Sequence, residues 1–187
     1  MQENSFKFFT LNYWRSIDKK ILFSFLILFF LGLFFSFSST SSLAGERLNK
    51  DYYFFFTKHL IFTILAISIM MIISFIRTEV LIKLVIPAFV VSFIFLAIVP
   101  IIGVEVKGAR RWLNLYFFNL QPVEILKPLF ILMTVKILTY KNFQNYHIKY
   151  LLSFILLSCE IIILIDQPDV GQSILLTSSW IATVFVS

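Results

Sequence analysis

The feature that most limits what this chain can become is the recurrence of apolar runs long enough to cross a bilayer. Six can be traced: Ile21 to Thr40, Lys58 to Ile76, Ile82 to Ile102, Glu124 to Tyr140, Tyr150 to Ile165 and Gly171 to Ser187. A hydrocarbon core of about 30 Å takes about 17 to 25 helical residues. Inside lipid only helices and closed barrels satisfy every backbone polar group, so each run is read as a helix. The fifth and sixth are short by this measure. Charged residues make up only 14% of the chain, against roughly 25% in soluble domains, and the mean hydropathy is +0.92. The expected fold is an all-α integral membrane protein, a polytopic helical bundle without a water-facing globular domain.

Residues 1–20 precede the first run. Their "FKFFTLNYWRSIDKK" mixes Phe6, Phe8, Phe9, Tyr13 and Trp14 with Lys7, Arg15, Lys19 and Lys20. Such a mixture suits an interfacial segment, and equally a disordered basic tail. Ser42-Leu43-Ala44 resembles a signal-peptide cleavage site, but the apolar run ahead of it is too long and sits behind a polar, aromatic stretch. The run is therefore read as a retained span. With the N-terminus in the cytoplasm, nine basic residues fall on that side and seven on the other. The four beside the first run weigh most, so the N-terminus is placed inside. The formal net charge of +6 comes from basic residues scattered between apolar runs. That pattern fits topology and anionic lipid, and no nucleic-acid partner is expected.

Two polar segments of the second half stand out. One is the loop 103–123 with the start of the fourth run, "GVEVKGARRWLNLYFFNLQPVEILK"; the other is "DQPDVG", Asp166 to Gly171. Two spans separate them, so they emerge on the same face, the exterior if the N-terminus is inside. Arg110 and Arg111 stand where guanidinium groups can grip a phosphate in bidentate fashion, with Trp112 beside them as an interfacial aromatic. An ordinary loop anchored to lipid headgroups explains the same three residues. Glu124 and Lys127, at i and i+3, share a helical face and are expected to pair, because a charge near lipid needs a partner. Pro122 suits a first helical turn, and Pro128 is expected to kink the helix or widen its turn.

Asp169 reads either as a helix cap or solvated turn residue, or as a functional carboxylate, with Gly171 allowing a tight turn. Glu160, inside the fifth run, is a functional candidate as an intramembrane carboxylate, or else one kept neutral or paired with a neighbouring helix. Cys159, the one cysteine, is expected to pack as a small hydrophobe, and His59 and His147 at the interfaces. There is no metal-ligand spacing, phosphate-cradling glycine loop or nucleophile elbow.

In this order, "KGARRWLNL", "QPVEILK" and "DQPDVGQSILL" resemble the SEDS proteins, the membrane glycosyltransferases of bacterial cell-wall synthesis. The opening "YWRSIDKKILFSFLILFFLGLFFSFSSTSSLAGERLN" looks more like the division branch, FtsW, than the elongation branch, RodA. The resemblance implies a ten-span protein of the bacterial cytoplasmic membrane at the division septum, polymerising lipid II on the outer face. It also implies a class B penicillin-binding protein and other divisome proteins as partners. Arg110, Arg111 and Lys127 would then offer positive charge to the lipid-linked diphosphate beside Trp112. The family's "QP.E..K" falls on Gln121, Pro122, Glu124 and Lys127, and its "PD.G" on Pro168, Asp169 and Gly171. No cofactor is implied, and a divalent cation is left open. Family members run to about twice this length, and their catalytic aspartate lies in an exterior loop of the second half that nothing here matches. The chain is therefore expected to be an N-terminal portion with no catalytic residue of its own, inactive alone. A lipid II flippase and a non-catalytic divisome scaffold are the competing readings.

Overall fold

The structure, a computed structural model, describes residues 17–39, 53–106, 108–116, 118–141 and 145–187. Most of the aromatic head segment, Ser42-Leu43-Ala44 and Lys107 lie outside the described residues. Among the described residues six helices appear in chain order: α1 Lys19–Ser39, α2 Phe54–Phe75, α3 Thr78–Ile102, α4 Pro122–Leu138, α5 Tyr146–Asp166 and α6 Val170–Val186. Between α3 and α4 lie three strands, β1 Val104–Val106, β2 Ala109–Asn114 and β3 Asn119–Leu120. The chain divides into two units, Met1–Arg77 and Thr78–Ser187.

In the first unit Asp18 opens α1. Its Oδ1 accepts from the backbone N–H of Lys20 at 2.9 Å and of Ile21 at 3.3 Å, satisfying donors that a helix start leaves free. α1 packs against α2 through Phe37, whose ring lies 5.3 Å from Phe56 and 6.2 Å from Tyr53. Gly32 lies beside His59 of α2: a Cβ there would stand 3.6 Å from Nε2, an ordinary contact. Among the unit's described residues only Thr63 is buried. Helices that are apolar all round and still exposed belong in lipid.

The second unit has an interior. The buried positions of α5, Lys149, Ser153, Leu157, Glu160 and Leu164, recur every three or four residues and form one stripe. It faces a matching stripe on α4, Val123, Leu126, Phe130, Thr134 and Leu138. Phe89 and Leu96 of α3 and Leu176 of α6 complete the core. Because lipid is as apolar as leucine, close packing and polar contacts between helices hold such a core together more than water exclusion does. At the end where α4 finishes, Lys149 Nζ donates to the Leu138 carbonyl at 3.1 Å and Lys136 Nζ to that of Ile82 at 2.8 Å. At the opposite end Gln167 Nε2 donates to the Leu96 carbonyl at 3.3 Å, tying α3 to the α5–α6 turn.

Among the described residues four helices, α1, α2, α3 and α5, are long and apolar enough to cross a membrane. α4 and α6 have 17 residues each, about 25 Å at the helical rise. α4 also carries Glu124, Lys127 and Lys136 and runs unbroken past Pro128. That proline leaves the Glu124 carbonyl without its helical donor.

Several sequence expectations need correcting. The segment 103–123 is no irregular loop; it holds a three-stranded antiparallel sheet in the order β1-β2-β3. Strands of two, three and six residues are too short for alternation to announce them. Cys159, expected to pack as a small hydrophobe, is exposed on α5, an apolar helix long enough to cross a membrane. Gly171 makes no tight turn: it lies in the first turn of α6, and a Cβ there would meet nothing within 4 Å.

Candidate functional site

The polar residues of the second unit meet at the end where α3 gives way to the sheet. α3 stops at Gly103, where a Cβ would lie 2.4 Å from the Val99 carbonyl oxygen, so only glycine lets the chain leave there. The β1–β2 hairpin turns through Gly108 at φ 79°, a left-handed conformation that costs glycine little. Across it Val104 pairs with Trp112 and Glu105 with Arg110. One step on β1 thus answers two on β2, and Arg111 is the extra residue of a bulge. Bulges re-aim a side chain out of the strand's alternation, and here the bulge separates the two adjacent arginines.

Arg110 turns back to α3. Its Nη1 lies 3.3 Å from the Pro100 carbonyl, and its Nε 3.8 Å from Glu105. Arg111 reaches the α5–α6 turn instead. Its Nε donates to the Gln167 carbonyl at 3.2 Å, its Nη2 donates to the Pro168 carbonyl, and its Nε lies 3.6 Å from Oδ2 of Asp169. Asp169 is 8% exposed and also accepts from Gln121 Nε2 at 3.4 Å. Expected either as a cap or solvated turn residue or as a functional carboxylate, Asp169 takes the N-cap place of α6 yet makes no side-chain cap bond. Arg111 and Gln121 occupy its carboxylate.

Beside this triad stands a second one. Lys127 Nζ pairs with Glu124 Oε2 at 2.7 Å, and Gln172 Nε2 donates to Glu124 Oε1 at 2.9 Å. α4 and α6 run in register here, since Gln121 meets Asp169 and Glu124 meets Gln172, both 48 residues on. The structure thus brings together Arg111, Gln121, Glu124, Lys127 and Asp169 of the predicted residues. Arg110 stands apart, Trp112 is half-buried in the ladder, Pro122 opens α4, and Pro168 contributes its carbonyl.

Gln167 and Gln172 were missed by the sequence reading. Gln172 stands three residues after Asp169, one helical turn on, and that spacing was the available signal. Glu160 is fully buried, and neither carboxyl oxygen has a hydrogen-bond partner among the described residues. Those residues also contain no cluster of three His, Cys, Asp or Glu side chains able to hold a metal ion.

The two guanidinium and ammonium groups of the cluster are matched by two carboxylates, so as built it is neutral and internally satisfied. An anion arriving here must take over donors already in use. The Lys127 ammonium, on a flexible stem and partnered by a half-exposed carboxylate, is the easier to redirect; Arg111, held by two carbonyls and a buried carboxylate, is the harder.

A family model described as a cell cycle protein, FTSW_RODA_SPOVE, matches residues 19–187. The probable peptidoglycan glycosyltransferase FtsW of Caulobacter vibrioides is 31% identical over 94% of this chain and 46% of its own length. That of Marinomonas mediterranea is 30% identical over 94% of this chain and 44% of its own length. The chain thus spans less than half the length of these curated relatives. Among solved structures, a chain of a peptidoglycan synthase complex superposes with a TM-score of 0.67, at 22% identity over 83% of this chain and 44% of its own. The crystal structure of the rod shape determining protein RodA of Thermus thermophilus gives 0.57, at 21% identity over 83% of this chain and 58% of its own. With the multi-pass apolar helices and the "QP.E..K" and "PD.G" positions meeting at one end of the bundle, these matches establish that the chain belongs to the FtsW/RodA/SpoVE family of membrane proteins.

Proposed function

We propose that this chain forms the substrate-facing N-terminal part of a peptidoglycan glycosyltransferase that polymerises lipid II during cell division. The observation that carries the reading is the 31% identity over 94% of the chain to a probable peptidoglycan glycosyltransferase. The cluster of Arg111, Gln121, Glu124, Lys127 and Asp169 at one end of the second unit supports it. In this reading that end faces the exterior, the N-terminus is cytoplasmic, and the protein sits in the bacterial cytoplasmic membrane at the septum. Lys127 exchanges Glu124 for a diphosphate oxygen, while Arg111 holds the α5–α6 turn and adds positive field. Arg110 and Trp112 flank the headgroup from the sheet. Charged donors in a site sheltered from water stabilise a diphosphate far better than they would in bulk solvent. The general base belongs to the remaining length of the relatives, so the catalytic step is assigned outside this chain. A class B penicillin-binding protein is the partner that crosslinks the product.

The test joins the chain at Ser187 to the remaining length of the Caulobacter relative, reconstitutes it with a class B penicillin-binding protein, and follows labelled lipid II into glycan strands. The expected result is polymer from the fusion, none from the chain alone, and a loss on the order of a hundredfold for Lys127→Ala. Wild-type rates from Lys127→Ala and Arg111→Ala would overturn the substrate role. Precursor movement across vesicles without polymer would establish the flippase, and partner binding with neither activity the scaffold. A chelator arm reports any need for a divalent cation.

A further inference from the structure

The turn between β2 and β3 presents an apolar surface that the proposed substrate site does not use. Leu115 is 45% exposed, Phe118 41%, and Tyr116 95%. Tyr116 adopts φ 69°, a conformation that burdens any side chain with a Cβ and that glycine or asparagine would adopt more easily. Asn114 holds it there, its Oδ1 accepting from the Tyr116 N–H at 2.9 Å, and Leu115 N–H donates to the Phe118 carbonyl at 3.0 Å across the turn. The fold thus fixes a large aromatic ring outward in a strained conformation, at a place where a smaller residue would serve the turn. Backbone outliers of this kind point to a use for the side chain they display.

The sheet's position says what that use is. β1 begins one residue beyond α3, a helix long and apolar enough to span a membrane. β3 ends one residue before α4. The sheet is therefore held at the level of the bilayer surface by the end of α3. Ala109 and Leu113 of β2 are its buried residues, whereas Leu115, Tyr116 and Phe118 stay exposed. Ile101 and Ile102, at the adjoining end of α3, are also exposed, at 74% and 67%. Their exposure makes the apolar surface of the span continuous with the strand region beside it. Half-exposed Arg110, within β2, reaches the Pro100 and Ile101 carbonyls and so sets a cation beside that end of the span. An apolar, aromatic turn level with a basic side chain is the composition of a membrane–water interface, where rings sit among the headgroups and basic side chains meet lipid phosphates.

We propose that Leu115, Tyr116 and Phe118 form a membrane-surface anchor: the β2–β3 turn folds back onto the bilayer and seats its side chains in the interface, holding the sheet flat over the leaflet. The occupant of this surface is lipid, and a covering protein segment is the alternative that the experiment separates. By fixing the sheet, the anchor also fixes the bulge that aims Arg111.

The full chain, with Cys159→Ser to remove the native thiol, is given a single nitroxide at Tyr116→Cys and reconstituted in vesicles of phosphatidylethanolamine and phosphatidylglycerol. Collision rates with oxygen, which concentrates in lipid, and with a water-soluble nickel chelate report the depth. Labels at Phe154→Cys, on the lipid-exposed face of α5, and at Glu105→Cys, on an exposed charged position, provide the deep and shallow references. The anchor predicts that the Tyr116 label meets oxygen in preference to the chelate, with a depth between the two references. A label as open to the chelate as Glu105 or more so places the turn in water and overturns the proposal. A label shielded from both reagents means protein covers it and overturns the proposal equally. Phe118→Cys repeats the measurement should the Tyr116 variant not fold, and the same depth is expected. Exchanging phosphatidylglycerol for a zwitterionic lipid is expected to leave the label embedded but shallower.

Discussion

Removing Arg111 tests the site's architecture most directly, because one side chain there ties the sheet to the α5–α6 turn. Arg111→Ala deletes two hydrogen bonds to backbone carbonyls and an ionic contact of 3.6 Å to a carboxylate that is 10% exposed. Hydrogen bonds from a charged donor are each worth about 1.5–3 kcal/mol at most. Stranding a buried charge costs about 3–5 kcal/mol. Arg111 is itself about one-third exposed, and Asp169 keeps Gln121 as a donor, so both figures must be discounted. A net loss of about 3 kcal/mol follows. Asp169→Asn alone keeps an acceptor for both partners and should cost about 1 kcal/mol. The double variant no longer strands a carboxylate, so the two losses should fall short of additivity by about 1–2 kcal/mol. The assay is reversible unfolding in mixed micelles of increasing SDS fraction, with the four proteins measured side by side. An Arg111→Ala loss below about 0.5 kcal/mol, or strictly additive losses, would mean that the contact is a surface ion pair of negligible worth. The bulge would then have no structural purpose.

Two glycines should respond in opposite directions in the same unfolding assay. Gly103→Ala places a methyl 2.4 Å from the Val99 carbonyl oxygen and should cost about 1–3 kcal/mol through forced backbone movement. Gly171→Ala enters open space within a helix and should gain about 0.5–1 kcal/mol; a loss there would show that Gly171 is needed for its flexibility after all. Glu160, fully buried with no hydrogen-bond partner among the described residues, makes no polar contact there that Leu would lose, so Glu160→Leu should leave stability unchanged or raise it by about 1 kcal/mol or more. Polymerisation by the fusion protein should also survive that change, whereas loss of precursor movement in the same variant would favour a transport role.

How much of this was readable in advance depended on the range of the interaction. The helices follow from single runs of side chains, because lipid denies the backbone any partner outside its own segment. The Glu124–Lys127 pair was equally legible, since two residues one turn apart on a helix must meet. The bulge at Arg111 was not, because it rests on a register between strands too short to leave a pattern. Reading Arg110 and Arg111 as one phosphate grip assumed that neighbours in sequence act together, and the extra residue on β2 sends them to different partners. Asp169 looked like a cap for the same reason: its local position is that of an N-cap, and only the side chains of β2 and of the residue before α4 give its carboxylate another use. Gln167 and Gln172 lie inside the quoted "DQPDVGQSILL" but carry no charge, so their part in tying α3, α4 and α6 together emerged only once those helices were placed side by side.

By itself, then, the order of residues determined that this is a membrane protein of apolar helices whose charged residues fall mostly in the segments between them, because solvation by lipid acts on each segment alone. Which charges face each other was decided only by the tertiary structure, since the contacts between Arg111 and Asp169 or Gln172 and Glu124 join residues 58 and 48 positions apart. Their meeting depends on the register of packed helices and on one extra residue in a strand, geometric quantities to which no local pattern in the chain is sensitive.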